Sequence, residues 1–152
     1  MCALRIDGKD VGVQLTSHLK PTRGRIRWKW NPRHAAADAV KFGNASSYIM
    51  DAWGDASNYI RAYWTAANTV TIAVNAGGAG EQTTTWDATG AIAAGTSYSG
   101  EFKYDSSHVD FIVDGATKAT ITTPIVFTTM PALYPGARQD GTLQGDATFA
   151  SP

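Results

Sequence analysis

The sequence predicts an all-β protein, an antiparallel two-sheet sandwich of the jelly-roll kind, and three observations carry that expectation. Apolar and polar residues alternate with period two through most of the chain. Clusters of Gly, Asp, Asn and Pro punctuate the alternating runs at short intervals. Helical periodicity is nearly absent. About ten to twelve short strands with such punctuation fit a sandwich or jelly roll.

The elements follow in order. "VGVQL" (11–15) puts Val11, Val13 and Leu15 on one face. "GRIRWKWNP" (24–32) puts Ile26, Trp28 and Trp30 on one side and Arg25, Arg27 and Lys29 on the other. "PRHAAADAVKFG" offers either a brief helix, with Pro32 before it and Gly43 after it, or a loop. "SSYIMDAW" and "NYIRAYW" read as two strands joined by the turn "GDAS". In the second, Ile60, Ala62 and Trp64 form a core face, and Tyr59, Arg61 and Tyr63 face solvent or ligand. "NTVTIAVNA" sets Val70, Ile72 and Val74 inward. The Gly-, Thr- and Ala-rich segment around Trp86 suits an edge strand flanked by loops. "YSGEFKY" and "HVDFIVDG" alternate again, and Asp114-Gly115 fits a two-residue type I′ hairpin turn leading into "ATKATIT". The final pieces, "ALYPGA" and "LQGDATF", are short and broken by Pro135, Gly136 and Gly145.

Composition narrows the function. The chain has 152 residues, enough for one domain with its own core (1–152), and no repeat of solenoid length. Lys plus Arg and Asp plus Glu both number 13, so the zero net charge argues against a general nucleic-acid partner and permits self-association. No apolar run reaches membrane-spanning length, which predicts no membrane partner. The N-terminus "MCALRIDGKD" lacks the long apolar stretch of a signal peptide, as expected of a chain not secreted by that route or of a piece of a longer one. Cys2 is the single cysteine, so no internal disulfide forms.

The order of the pieces resembles laminin-G-like jelly rolls, which share the concanavalin A-like fold. "ALRIDGKDVGVQL" is similar to that family's opening, and "GRIRWKWNP" to its alternating strand ending in Lys-Pro or Asn-Pro. The hairpin strands from Ser46 to Asn75 follow. "GTSYSGEFKYDSSHVDFIVDGATKAT" matches its most recognisable segment, through Tyr104-Asp105 and Val113-Asp114-Gly115. "ALYPGARQDGTLQGDATF" stands where the family closes, although Gly145-Asp146-Ala147 is small and polar where a bulkier strand is usual. Free-standing domains of this kind occur in phage tail and virion proteins.

The chemistry points away from catalysis. Retaining glycosidases on such sheets need two carboxylates about 5 Å apart, usually a Glu-x-Asp-x-Glu run, and the only glutamates, Glu81 and Glu101, lie in different segments. Cys2, His18, His34 and His108 are scattered, and no G-x-S-x-G elbow or zinc spacing occurs. The resemblance implies a calcium ion at the sandwich rim. Asp51, Asp55 and Asn58 are the candidate ligands, with Asp140 and Asp146 further on, although turns favour the same residues. Candidate ligand-binding residues are Tyr59, Arg61 and Tyr63, together with the basic row Arg25, Arg27 and Lys29. If Arg61 shared the basic row's face, four cations would suit carboxylates or sulfates. The same row also serves solubility, with Glu101 or Asp110 as neutralising neighbours.

The expected function is therefore a non-catalytic recognition or adhesion module that binds carbohydrate, displayed on a virion, a phage tail or another extracellular assembly. The alternative is a structural subunit with no sugar affinity, such as a decoration, fibre or filament protein. Expected partners are a glycan, other assembly subunits and further copies of the same chain.

Overall fold

A computed structural model of the protein describes residues 20–40, 47–129, 132–136 and 147–150. The predicted strand at 11–15, the opening of the laminin-G-like pattern, Cys2, His18, Asp140 and Asp146 lie outside them.

Ten strands run through the described residues: β1 (Gly24–Pro32), β2 (Ser47–Asp55), β3 (Asn58–Ala66), β4 (Thr69–Asn75), β5 (Gln82–Asp87), β6 (Tyr98–Tyr104), β7 (His108–Val113), β8 (Ala116–Thr122), β9 (Ala132–Pro135) and β10 (Ala147–Ala150). They form two five-stranded antiparallel sheets, ordered β10-β1-β6-β7-β8 and β5-β4-β3-β2-β9. In the segment that could be helix or loop, the described residues, up to Val40, contain one 3₁₀ turn, Ala36–Asp38. Buried Ala36 fastens it, donating to the Ile92 carbonyl and accepting from the Asn68 amide.

Alternation becomes a core because the inner faces of the two sheets pack together. Ile26, Trp28 and Trp30 are 2–3% exposed and join Ile60, Ala62, Val70, Ile72, Val109 and Phe111 in one apolar cluster. Aromatic rings dominate it. Trp28 lies 5.0 Å from Phe102 and 6.3 Å from Phe111, and Trp86 of the opposite sheet reaches Phe111 at 6.0 Å. Each such ring removes a large apolar area from water, and tilted neighbours at these distances add to that. The indole N–H groups of Trp28 and Trp30 are buried with no hydrogen-bond partner among the described residues. Packing must offset that cost.

Turn chemistry sets the registers. Asp114 (φ 49°) and Gly115 (φ 77°) both adopt positive φ and connect the paired residues Val113 and Ala116. That is the type I′ geometry the Asp-Gly pair predicts. The Asp114 carboxylate also accepts from the Ser99 amide (2.7 Å) and hydroxyl (2.9 Å), tying the hairpin to β6.

Trp28 fits because its cross-strand partner is Gly100. A Cβ at Gly100 would overlap the Trp28 indole, so the ring needs a bare backbone opposite it. Gly100→Ala should therefore destabilise the protein by about 1–3 kcal/mol through overpacking. Thermal denaturation checks this, and Ala at exposed Lys103 should change stability by no more than about 0.5 kcal/mol.

Candidate functional site

The outer face of the β5-β4-β3-β2-β9 sheet carries a concentration of aromatic rings around one ion pair. Period two on β3 sends Ile60, Ala62 and Trp64 to the core and Tyr59, Arg61 and Tyr63 outward. On β2 a register shift between Tyr48 and Met50 changes the simple alternation. Ile49 and Met50 are both in the core, and Tyr48, Asp51 and Trp53 stand opposite Tyr63, Arg61 and Tyr59 respectively.

The pairs are stacked. Trp53 and Tyr59 lie 5.3 Å apart with their planes 14° from parallel, and Tyr48 and Tyr63 lie 5.2 Å apart at 17°. Between them the Arg61 guanidinium sits 4.0 Å from the Tyr59 ring centre, 4.5 Å from that of Trp53 and 6.0 Å from that of Tyr48. Its Nε donates to Asp51 Oδ1 at 3.1 Å. Asp51 is fully buried and Arg61 is 9% exposed. Tyr134 of β9 stands opposite Asp51 in register, half-buried, and Thr71 on β4 extends the face beyond Tyr63.

Exposed Glu81, just before β5, accepts from the Tyr59 hydroxyl at 2.7 Å. Burial, then the hydrogen bond and charge of Glu81, push the Tyr59 phenol far above its ordinary range, and Arg61 opposes them. Tyr63 is raised too, by burial and then the Glu81 charge. These phenols stay neutral hydroxyl donors at any physiological pH.

The six predicted ligand-binding residues do not form one site. Tyr59, Arg61 and Tyr63 are together on this face. Arg25, Arg27 and Lys29 project from β1, on the outer face of the other sheet, so a four-cation patch with Arg61 does not exist. Glu101 neutralises part of the basic row, at 2.8 Å from both Arg25 Nε and Arg27 Nε. Lys29 is exposed and opposite Ser99.

The calcium candidates are engaged elsewhere. Asp51 faces Arg61. Asp55 Oδ1 accepts from the Ser57 amide and from Asn58 Nδ2, both at 2.8 Å. The Thr129 hydroxyl bond, then those two, lowers the Asp55 pKa. Asn58 is 1% exposed, and its Oδ1 accepts from the amides of Gly77 (3.2 Å) and Thr128 (2.8 Å). The Asp55 and Asn58 oxygens hold the β2–β3 turn against the segment after β8 and the loop after β4, and Asp51 is buried against Arg61, so the three do not form one open oxygen site for calcium. Among the described residues no three His, Cys, Asp or Glu side chains are grouped to hold a metal ion.

Reading the sequence missed Tyr48, Trp53 and Glu81. Trp53 was visible as an aromatic two residues from Asp51, but its pairing with Tyr59 depends on register.

No protein-family model matches the sequence, and no curated protein matches it. Solved structures do. The chain resembles mouse laminin α1 chain domains LG4-5 with a TM-score of 0.56 and 17% identity, over 88% of this chain and 35% of that one. It thus spans about a third of that laminin chain. It resembles the CBM40 of Ruminococcus gnavus IT-sialidase bound to α2,3-sialyllactose with a TM-score of 0.61 and 16% identity, over 98% and 88% of the two chains. Sheep galectin-11 in complex with glycerol gives 0.52 and 12%, over 88% and 90%. At these identities the shared property is the fold, a laminin-G-like, concanavalin A-like jelly roll. Among the described residues no helix is long and apolar enough to cross a membrane.

Two outcomes follow from the ion pair and the phenols. Arg61→Met should destabilise the protein in urea denaturation, because it takes a charge partner from the buried Asp51, and the double variant Asp51→Leu with Arg61→Met should recover part of the loss. Phenolate absorbance should show Tyr59 titrating well above the ordinary value of about 10, and Tyr63 above it. Tyr104, whose pKa burial pushes up to about 12, should titrate late as well. A raised phenol favours the fold below the unfolded pKa, so its contribution is complete below pH ~10 and is lost as pH climbs through the folded values. Glu81→Gln should bring the Tyr59 titration back toward the ordinary range.

Proposed function

We propose that the chain folds as one domain and acts as a non-catalytic carbohydrate-binding module, with the outer face of the β5-β4-β3-β2-β9 sheet as its binding face. The observation that carries this reading is the pair of cross-strand aromatic stacks, Trp53–Tyr59 and Tyr48–Tyr63, set around Arg61. Stacked rings held by an ion pair give an apolar platform with fixed polar edges, the combination a sugar ring requires. Trp53 and Tyr63 are half-buried and so can meet a ligand. The likeness to a sialidase CBM40 and to a galectin supports the reading through the shared fold. The two glutamates serve different outer faces, Glu81 bonding Tyr59 and Glu101 pairing with β1, so together they make no glycosidase pair.

Charge narrows the ligand class. Among the described residues of this face, Asp51 balances Arg61, and Glu81 adds one negative charge at Tyr59. The face therefore favours neutral glycans over sialylated or sulfated ones, the opposite of what a free Arg61 would favour. The setting on a virion or phage tail rests on the sequence resemblance, and self-association on the zero net charge.

A glycan array followed by calorimetry tests the reading. Selective binding of neutral glycans is expected, with Trp53→Ala weakening it about tenfold or more, equivalent to at least ~1.4 kcal/mol. A blank array on folded protein, or binding indifferent to Trp53→Ala, would overturn it.

A further inference from the structure

On the other sheet, away from the aromatic face, an open groove of about 450 Å³ runs along the start of β1 and the end of β6. Lys20, Arg23, Arg25 and Lys103 line it with Gly24, Tyr104 and Asp105. Four cations thus meet one carboxylate. That carboxylate is occupied: Asp105 Oδ1 accepts from the Ser107 amide (2.8 Å) and hydroxyl (2.7 Å) and lies 3.0 Å from His108 Nδ1.

Two features set this groove apart from ordinary surface charge. Arg25 and Lys103 stand directly opposite each other across β1 and β6, a like-charge pair offset by Asp110, opposite Lys103 on β7, and by Glu101 at Arg25. Among the described residues, no ion pair engages Lys20, Arg23 or Lys103. Arg25 bonds Glu101 through Nε, which leaves its two terminal amino groups as donors.

The groove is also built rigidly. The buried Tyr104 hydroxyl donates to the Lys20 carbonyl at 2.9 Å, and the Phe127 amide donates to the Pro21 carbonyl at 2.9 Å. Lys20 and Arg23 bridge each other through the backbone at 3.1 and 3.3 Å. Gly24 permits this arrangement, since a Cβ there would come within 2.5 Å of the Tyr104 hydroxyl.

We infer that this groove is a second binding site, for a phosphate- or sulfate-class oxyanion held by Lys20, Arg23, Arg25 and Lys103. A tetrahedral oxyanion supplies several acceptors in one place for the Lys20, Arg23 and Lys103 side chains and the terminal amino groups of Arg25. Glu101 takes up Arg27 and part of Arg25, so the cations open to a ligand gather at the start of β1, where a single anionic group fits them. The source is either the free ion or an ester carried on a larger ligand.

Amide chemical shifts of the isotope-labelled chain test this, with sodium phosphate, sodium sulfate and glycerol 3-phosphate titrated at constant ionic strength made up with chloride. Saturable shifts are expected at Arg23, Arg25 and Lys103, with little change at Trp53 or Tyr59. Arg23→Ala with Lys103→Ala should weaken binding about tenfold or more, as expected for losing charge-assisted hydrogen bonds. Lys29→Ala, on the same strand but outside the groove, should leave binding unchanged. Both variants change exposed side chains, so folding is preserved. Tighter binding of the ester assigns a ligand-borne group, and equal binding assigns the free ion. Shifts that never saturate, that chloride reproduces, or that survive the double variant would overturn the site. None of these outcomes touches the aromatic face, so the two readings stand or fall separately.

Discussion

Trp28 lying against the bare backbone of Gly100 is the contact around which the rest of the sandwich is arranged. The indole fills the space between sheets and meets Phe102 and Phe111, and Phe111 in turn meets Trp86 from the facing sheet. A side chain of that size sets the local spacing of the layers. With the spacing set, the alternating residues of β1, β3, β4, β6 and β7 have only one register that buries them all. The outward faces then follow from the inward ones. The ion pair on one sheet and the basic groove on the other are consequences of where the core's large rings lie.

The period-two runs were legible because pleating converts alternation directly into sidedness, as Ile26, Trp28 and Trp30 demonstrate. The Asp114-Gly115 turn was legible for an equally local reason, since few residue pairs accept two positive φ angles in succession. Sheet membership was not. Arg25 and Arg61 look alike in sequence, yet strand pairing between distant segments places them on opposite sides of the molecule. Asp51 was misread for a related reason. The irregularity after Tyr48 shifts the face of every later β2 residue, so simple alternation could not place Tyr48, Asp51 and Trp53 together. Asn58 resembles a turn ligand in sequence, and only the fold brings Gly77 and Thr128 to its side-chain oxygen.

The two outer faces solve the same problem differently. On the β3 side, charge is buried beneath rings: Asp51 is inaccessible and Arg61 nearly so. A buried pair of this kind contributes little net stability but holds its neighbours in one arrangement. On the β1 side, charge remains in water, where Glu101 is shared between two arginines and screening weakens each contact. Salt should therefore change the behaviour of the β1 face far more than that of the β3 face.

The distribution of tryptophans has one more consequence. Trp28, Trp30, Trp64 and Trp86 are 2–9% exposed, and Trp53 is the one left partly open to solvent. Four emitters sit in a shared apolar interior, and the fifth lies on the aromatic face beside Arg61. A collisional quencher such as iodide will reach only that fifth one. The protein thus carries its own optical reporter at the platform, and no label is needed to see whether something covers it.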